Sequence, residues 1–270
     1  MDNDEPFNVL CWARFGRMLT NRYDYVIGGS VRCYGEYSWG ELELFERLLH
    51  LGDVVVEAGA NIGTHTVPLT RIVGTNGEIL ALEPQRLVFY LLCANLALNQ
   101  CVNVRAEQAA LAACGGEINV PWVNPRATEN FGAVALGSGI TSGENVRTLA
   151  LDDLALPRCD FIKADVEGME AEVLRGANVT IQQYRPTIYV ENNRRDRSPE
   201  LIELLFSMNY RLWWHKVPMF NPSNMNGEKT NYYGEVASYN MLCVPQEKSV
   251  PVSGLVEVTD PSDWWHDWTG

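Results

Sequence analysis

The sequence predicts an α/β protein built on a doubly wound, mostly parallel sheet of seven strands, the last of them antiparallel. Three observations lead there. Val54-Val55-Val56 is a β-branched run that ends at Glu57, passes into a loop with glycines at 59 and 63, and continues into helical periodicity. Further apolar runs end on acids at Glu83, Asp165 and Glu191, with amphipathic helical stretches between them. The final two runs, 210–214 and 239–244, are joined by a loop rich in Asn, Gly and Pro with no helix in it, which fits a hairpin.

In chain order, residues 1–37 hold aromatics, arginines and glycines with weak periodicity and read as a lid or flanking segment. Ser38-Trp39-Gly40-Glu41 matches a capping box, and Leu42, Phe45, Leu48 and Leu49 give the helix after it one apolar face. A strand at 54–57 and a helix at 64–73 follow. Pro68 falls inside that helix, so the helix starts late or is kinked. A strand at 78–83, a helix at 86–98 and a strand at 102–105 come next. Short strands at 117–121 and 146–151 flank a Gly/Asn-rich insert, 122–145. The fourth core strand is 161–164; a helix runs from Gly168 to Arg175, with Gly176 as its C-cap. Pro186 opens a fifth strand, 187–190, and 199–208 is a helix. These elements place a catalytic domain at 38–244 and a peripheral tail at 245–270, where Trp264, Trp265 and Trp268 serve tail packing.

The loop after the first core strand carries chemistry. Glycines there admit positive φ and let a ligand approach the backbone, and such loops bind nucleotides at the strand's C-terminal end. A dinucleotide site needs Gly-x-Gly-x-x-Gly. Here Gly59-Ala60-Asn61-Ile62-Gly63 lacks the third glycine, and Glu57 disfavours phosphate. S-adenosylmethionine carries a sulfonium and an ammonium instead, and suits this loop better. Glu83, 20 residues beyond Gly63, stands at the offset of a carboxylate that binds a ribose diol. A solvent-exposed strand end is the plain alternative.

Apolar residues make up 46% of the 270, enough for a large core, and 34 acids against 21 bases leave a net charge of −13. That balance repels phosphate backbones, so no nucleic-acid partner is expected. Seven cysteines without a Cys-x-x-Cys pair suggest reduced thiols in a cytoplasmic protein. The acidic N-terminus does not read as a signal peptide. No apolar run reaches the ~20 residues of a membrane helix, so membrane insertion is not expected. The oligomeric state is left open.

The motifs Val56–Gly63, Leu82-Glu83-Pro84 and above all Phe161–Glu170, with Arg185-Pro186 before Glu191, resemble the FkbM-type S-adenosylmethionine-dependent methyltransferases over about residues 38–244. Position 164, often Ile in that family, is Ala here. The resemblance implies a Rossmann-like class I methyltransferase fold and O-methylation of a hydroxyl, on a sugar or a glycosylated metabolite. It implies cofactor contacts at Glu57, Gly59, Asn61, Gly63, Thr64 and Glu83. Gln108 sits where such enzymes contact adenine and can hydrogen-bond a base edge, or else belongs to an exposed loop. An NAD-type oxidoreductase and a catalytically idle nucleoside-binding module are the competing functions.

If the fourth and fifth core strands are neighbours, Asp165, Glu191 and Asn192 converge at the cofactor's edge of the sheet. Two carboxylates and an amide oxygen are hard ligands suited to Mg²⁺, which would lower the pKa of an acceptor hydroxyl. The set is similar to that of metal-dependent catechol-type O-methyltransferases. Alternatively, Asp165 or Glu191 is a metal-free base or an acceptor-orienting group, or the acids merely cap strand ends. His215, after Trp213-Trp214, is a candidate facing the acceptor, and His65 is expected to pack or cap. Trp213, Trp214, Tyr232 and Tyr233 are the aromatics expected at the mouth.

Overall fold

A computed structural model describes residues 5–132 and 142–265. In chain order the elements are β1 (Asn8–Ala13), β2 (Gly16–Asn21), α1 (Ile27–Tyr34), α2 (Trp39–Leu48), β3 (Val54–Ala58) and α3 (Thr66–Val73). Next come β4 (Glu78–Leu82), α4 (Arg86–Leu98), β5 (Val104–Glu107), β6 (Ala110–Leu111), β7 (Gly116–Pro121) and β8 (Gly143–Leu149). The chain ends with β9 (Phe161–Ala164), α5 (Glu170–Arg175), α6 (Asn178–Tyr184), β10 (Thr187–Glu191), α7 (Ser198–Ser207), β11 (Tyr210–Pro218), β12 (Ala237–Pro245) and β13 (Val256–Val258).

The main sheet runs β13-β11-β12-β10-β9-β3-β4-β5. β5, β4, β3, β9 and β10 are parallel, and β12 enters antiparallel between β10 and β11. Side chains alternate across each strand. Val56, Ala58, Ile162, Ala164, Ile188 and Val190 face the core under α5, α6 and α7. Val55, Ile79, Ala81, Phe161 and Tyr189 face the core under α2, α3 and α4. Burial on both faces explains why these strands read as unbroken apolar runs.

Several expectations need correction. The sheet has an eighth strand, β13, contributed at the edge by the tail expected to be peripheral; its three residues are too few to show periodicity. Trp264 is buried edge-on to Trp214, and Trp265 stacks on Tyr239, so both pack the tail; Trp268 lies outside the described residues. Residues 8–34 form a hairpin and a helix rather than a featureless flank. The helix α6, between α5 and Pro186, was not foreseen. Ser38 does not form a capping box: it sits at φ 47° and its hydroxyl donates to the Glu41 carboxylate at 2.6 Å. Gly176 is the C-cap of α5 as expected, though with an ordinary right-handed backbone. Pro68 is accommodated because α3 starts at Thr66, which puts Pro68 in the first turn, where no helical N–H bond is lost.

Candidate active site

Strand register builds the site. Ala58 pairs with Leu82 on one side and Ala164 on the other, and Ala164 pairs with Val190. The next residues therefore stand in a row, Glu83, Gly59, Asp165 and Glu191; the first three leave the sheet, and Glu191 is the last residue of β10, still paired with Asn240. The row crosses the point where the chain, having built outward from β3 through β4 to β5, returns to add β9 on the other side. Ligands bind at such a switch point, beyond the carboxyl ends of the strands. The close approach there requires glycine: a Cβ on Gly59, at φ 81°, would lie 1.9 Å from the Asp165 carbonyl oxygen.

Glu83 is buried and organises the loop. Its Oε2 accepts the Asn61 N–H at 3.0 Å and its Oε1 the Gln85 N–H at 2.8 Å. Burial pushes its carboxyl up to about 7. Beside it a narrow slot of about 40 Å³ is walled by Leu82, Pro84, Ala110, Leu111, Val166 and Met169. The slot shares Gly59, Glu83, Gly132, Asp165 and Glu167 with a cavity of about 360 Å³. Asn61, Thr64, His65, Lys163 and Glu191 also line that cavity.

One layer below the row, Glu57 and Lys163 are level across β3 and β9, and Tyr189 is level with Lys163 on β10. Lys163 is almost fully buried, and its Nζ lies 3.2 Å from Asp165 Oδ2. Nearby Asp165, Glu57 and Glu41 outweigh its desolvation and raise its pKa. Sequence reading missed this lysine, although a charged residue inside a four-residue buried strand is itself a signal. Glu57 is fully buried, accepts the Thr66 hydroxyl at 2.7 Å, and does not line the cavity. Burial pushes its carboxyl up to about 7.

The roof comes from the N-terminal segment and the β11–β12 loop. Glu36 is ion-paired with Arg14 and accepts the Asn221 amide at 2.7 Å. Tyr233 donates to the Tyr25 carbonyl at 2.7 Å and, with Tyr25 and Tyr37, lines the cavity. Trp213 and Trp214 do not reach it; each is buried in one of the two cores. Tyr232 is exposed beside Tyr34.

Of the predicted catalytic and metal-binding residues, Asp165 and Glu191 come together and Glu167 joins them, with one carboxylate oxygen from each within 4.8 Å of the others. Asn192 turns away, as the neighbour of Glu191 on an extended chain must. Its amide donates to Ser198 at 2.9 Å. His215 also stays outside the cavity: its Nδ1 shares a 2.8 Å hydrogen bond with the Tyr189 hydroxyl, and burial lowers its pKa to about 4. The Gln108 amide reaches Glu144 and the Pro84 carbonyl, and Gln108 does not line the slot. The acid trio does not fit Mg²⁺ as a resident ion. Lys163 already holds Asp165, and Arg194 holds Glu167 at 2.9 Å, so a divalent cation would sit between two fixed positive charges. Only Glu191 lacks a protein cation among the described residues.

A sequence profile of the methyltransferase FkbM domain matches residues 57–212, more than half the chain and including every residue of the row. The chain belongs to the FkbM methyltransferase family. Methyltransferase sdnD of Sordaria araneosa is 31% identical to this chain over 174 residues, 49% of this chain and 67% of that protein. A solved FkbM methyltransferase from Methylobacillus flagellatus KT aligns with a TM-score of 0.47 at 16% identity; the match covers 71% of this chain but 43% of that one. The precorrin-6y C5,15-methyltransferase of Geobacter metallireducens GS-15 aligns with a TM-score of 0.46 at 17% identity, over 76% of this chain and 85% of that one. Among the described residues of this FkbM protein, no helix is long and apolar enough to cross a membrane.

Proposed function

We propose that this protein is an S-adenosylmethionine-dependent O-methyltransferase whose acceptor is a hydroxyl of a small polar molecule, a sugar or glycoside. The observation that carries the reading is the row Glu83–Gly59–Asp165–Glu191 at the switch point, with a narrow apolar slot at one end and a roofed cavity over the other. The slot suits a flat base, Glu83 a ribose diol, and the Gly59–Thr64 loop an amino-acid end. When bound, S-adenosylmethionine supplies an electrophilic methyl group on a sulfonium centre.

The chain's own residues orient the acceptor. Three carboxylates within 4.8 Å of one another accept several O–H donors at once, which favours a polyol. Lys163 fixes Asp165 from below and Arg194 fixes Glu167 from the side, so both acids are positioned before the acceptor arrives. Tyr25, Tyr37 and Tyr233 offer aromatic faces to the C–H faces of a sugar. A dinucleotide's pyrophosphate would instead meet Asp165, Glu167 and Glu191, which disfavours an oxidoreductase. The net charge of −13 supports a small-molecule acceptor over nucleic acid. The seven cysteines are free thiols, in keeping with a cytoplasmic location as part of the same proposal.

The test is a screen of hydroxylated acceptors, beginning with methyl glycosides of common hexoses, in the presence of S-adenosylmethionine. The expected product is an O-methyl ether, a gain of one methylene by mass, together with S-adenosylhomocysteine. Methylation of protein lysines or of nucleic acid, with no turnover of any hydroxyl, would overturn the reading.

A further inference from the structure

Methyl transfer to a sugar hydroxyl needs a group that takes its proton, and among the strand-end acids of the trio only Glu191 is left without a protein cation to do so. Asp165 has the Lys163 ammonium on one oxygen and Glu167 has Arg194. A second candidate is His65 backed by Glu41: the histidine lines the same cavity, and the glutamate lies behind it, outside the lining. His65 follows the glycine loop, is 4% exposed, and lines the cavity. It occupies the N-cap position of α3 but makes no capping hydrogen bond, so capping does not account for it. Its Nε2 faces Glu41 Oε2 across 3.5 Å. Both atoms are buried and have no hydrogen-bond partner. Two unpaired buried polar atoms are costly in isolation, and sharing a proton relieves both.

The surroundings hold the pair in place. Glu41 Oε1 accepts the Ser38 hydroxyl at 2.6 Å and the Asn240 amide at 3.2 Å, leaving Oε2 for the imidazole. Tyr37 and Phe45 meet the His65 ring edge-on, each with centroids 5.9 Å away and planes at 64°. The sequence separates the two residues by a strand and a loop; packing of α2 over β3 and α3 brings them together.

We propose that His65, oriented by Glu41, accepts the proton of the acceptor hydroxyl during methyl transfer. The proposal rests on the O-methyltransferase reading above. An Nε2–H donated to the Glu41 carboxylate leaves a lone pair on Nδ1, and in the proposal this nitrogen meets the acceptor in the cavity that His65 lines. In the step, the acceptor O–H bond breaks and its proton moves to Nδ1. The oxygen's electron pair forms the bond to the methyl carbon as the carbon–sulfur bond breaks, and that bond's electron pair stays on sulfur. The positive charge thus passes from the sulfonium to the imidazolium, where the Glu41 carboxylate stabilises it; the proton then leaves to water with the product. Burial and the nearby Lys163 charge lower the His65 pKa well below its usual range, so the resting ring is neutral; the same shift weakens it as a base, and the Glu41 carboxylate has to offset that during transfer. His65 is the catalytic residue in this scheme, and Glu41 is a positioning residue.

The tautomer tests this without any acceptor. Long-range proton–nitrogen NMR at pH 8, above the value of about 7 to which burial raises the Glu41 carboxyl, on ¹⁵N-histidine protein with the His65 signals assigned by their loss in His65→Gln, should show the Nε2–H form with an unprotonated Nδ1. Glu41→Gln, whose amide can donate to Nε2, should shift the ring toward Nδ1–H. With an acceptor from the hydroxyl screen, His65→Gln should lower kcat about 10²–10⁴-fold with S-adenosylmethionine affinity unchanged. An Nδ1–H tautomer in the wild type overturns the proposal. So does a His65→Gln enzyme as active as a wild type that methylates a hydroxyl. A wild type that methylates no hydroxyl overturns the O-methyltransferase reading instead.

Discussion

Replacing Lys163 with methionine removes a buried cation and keeps most of its volume. Lys163 is almost fully buried beside Asp165, with Glu57 and Glu41 close enough to raise its pKa. Breaking a buried ion pair by deleting one partner costs roughly 3–5 kcal/mol, because the other charge is left uncompensated. Asp165 is 34% exposed at its side chain, so water can take over part of the lysine's role there. That exposure argues for the lower end, about 3 kcal/mol. For a chain of this size each kcal/mol moves the melting temperature by roughly 2–4 °C, so Lys163→Met should melt about 6–12 °C lower at neutral pH. The loss should be smaller at pH 6 than at pH 8, because Glu41 and Glu57, whose carboxyls burial already pushes up to about 7, are more fully protonated at the lower pH and repel less. Differential scanning calorimetry at both pH values reads the effect. A melting temperature within about 2 °C of wild type at both would refute the reasoning that this lysine neutralises the acids beneath the site.

Three further outcomes follow from the same geometry. Gly59→Ala should fail to bind S-adenosylmethionine by calorimetry, because its Cβ would fall 1.9 Å from the Asp165 carbonyl oxygen; normal binding would show that β3 and β9 are not this close at their ends. Wild-type stability should fall between pH 5 and pH 8. Glu41, Glu57 and Glu83 have carboxyls raised from 4.5 to about 7 by burial, so the folded state holds protons that the unfolded chain releases, and the stability they lend below that window is lost as pH rises through about 7. A melting temperature that rises steadily over this range would contradict the burial of these three groups. Asp165→Ala should cut kcat/KM for a hydroxyl acceptor by about 10–100-fold, the worth of one charge-assisted hydrogen bond of about 1.5–3 kcal/mol. Unaltered kinetics would remove Asp165 from acceptor binding.

The central strands were legible because each is buried on both faces and ends on an acid or a glycine: β9 begins and ends where its apolar run does, and α4 spans its whole helical pattern. The antiparallel β12 could be inferred from a connection with no helix to carry the chain back across the sheet. What sequence could not show was direction. Asn192 and Glu191 are adjacent, yet only Glu191 faces the cavity, while Glu167 swings into the trio. The trio depends on a left-handed backbone at Glu167, φ 56°, which no periodicity announces. The His65–Glu41 pair joins a loop to a helix two elements earlier, a tertiary contact that spacing does not encode. The β1–β2 hairpin escaped notice because β1 alternates in burial but carries apolar Leu10 and Trp12 at its exposed positions, so no polar–apolar alternation marks it.

The measurement that bears most directly on the whole account is isothermal titration of S-adenosylmethionine into the wild-type protein and Glu83→Ala. The account predicts one binding site in the wild type. In Glu83→Ala, losing the ribose hydrogen bonds at about 1.5–3 kcal/mol each should weaken affinity by about tenfold or more. Heat from a nicotinamide dinucleotide but none from S-adenosylmethionine, or equal affinity in a folded Glu83→Ala protein, would contradict it.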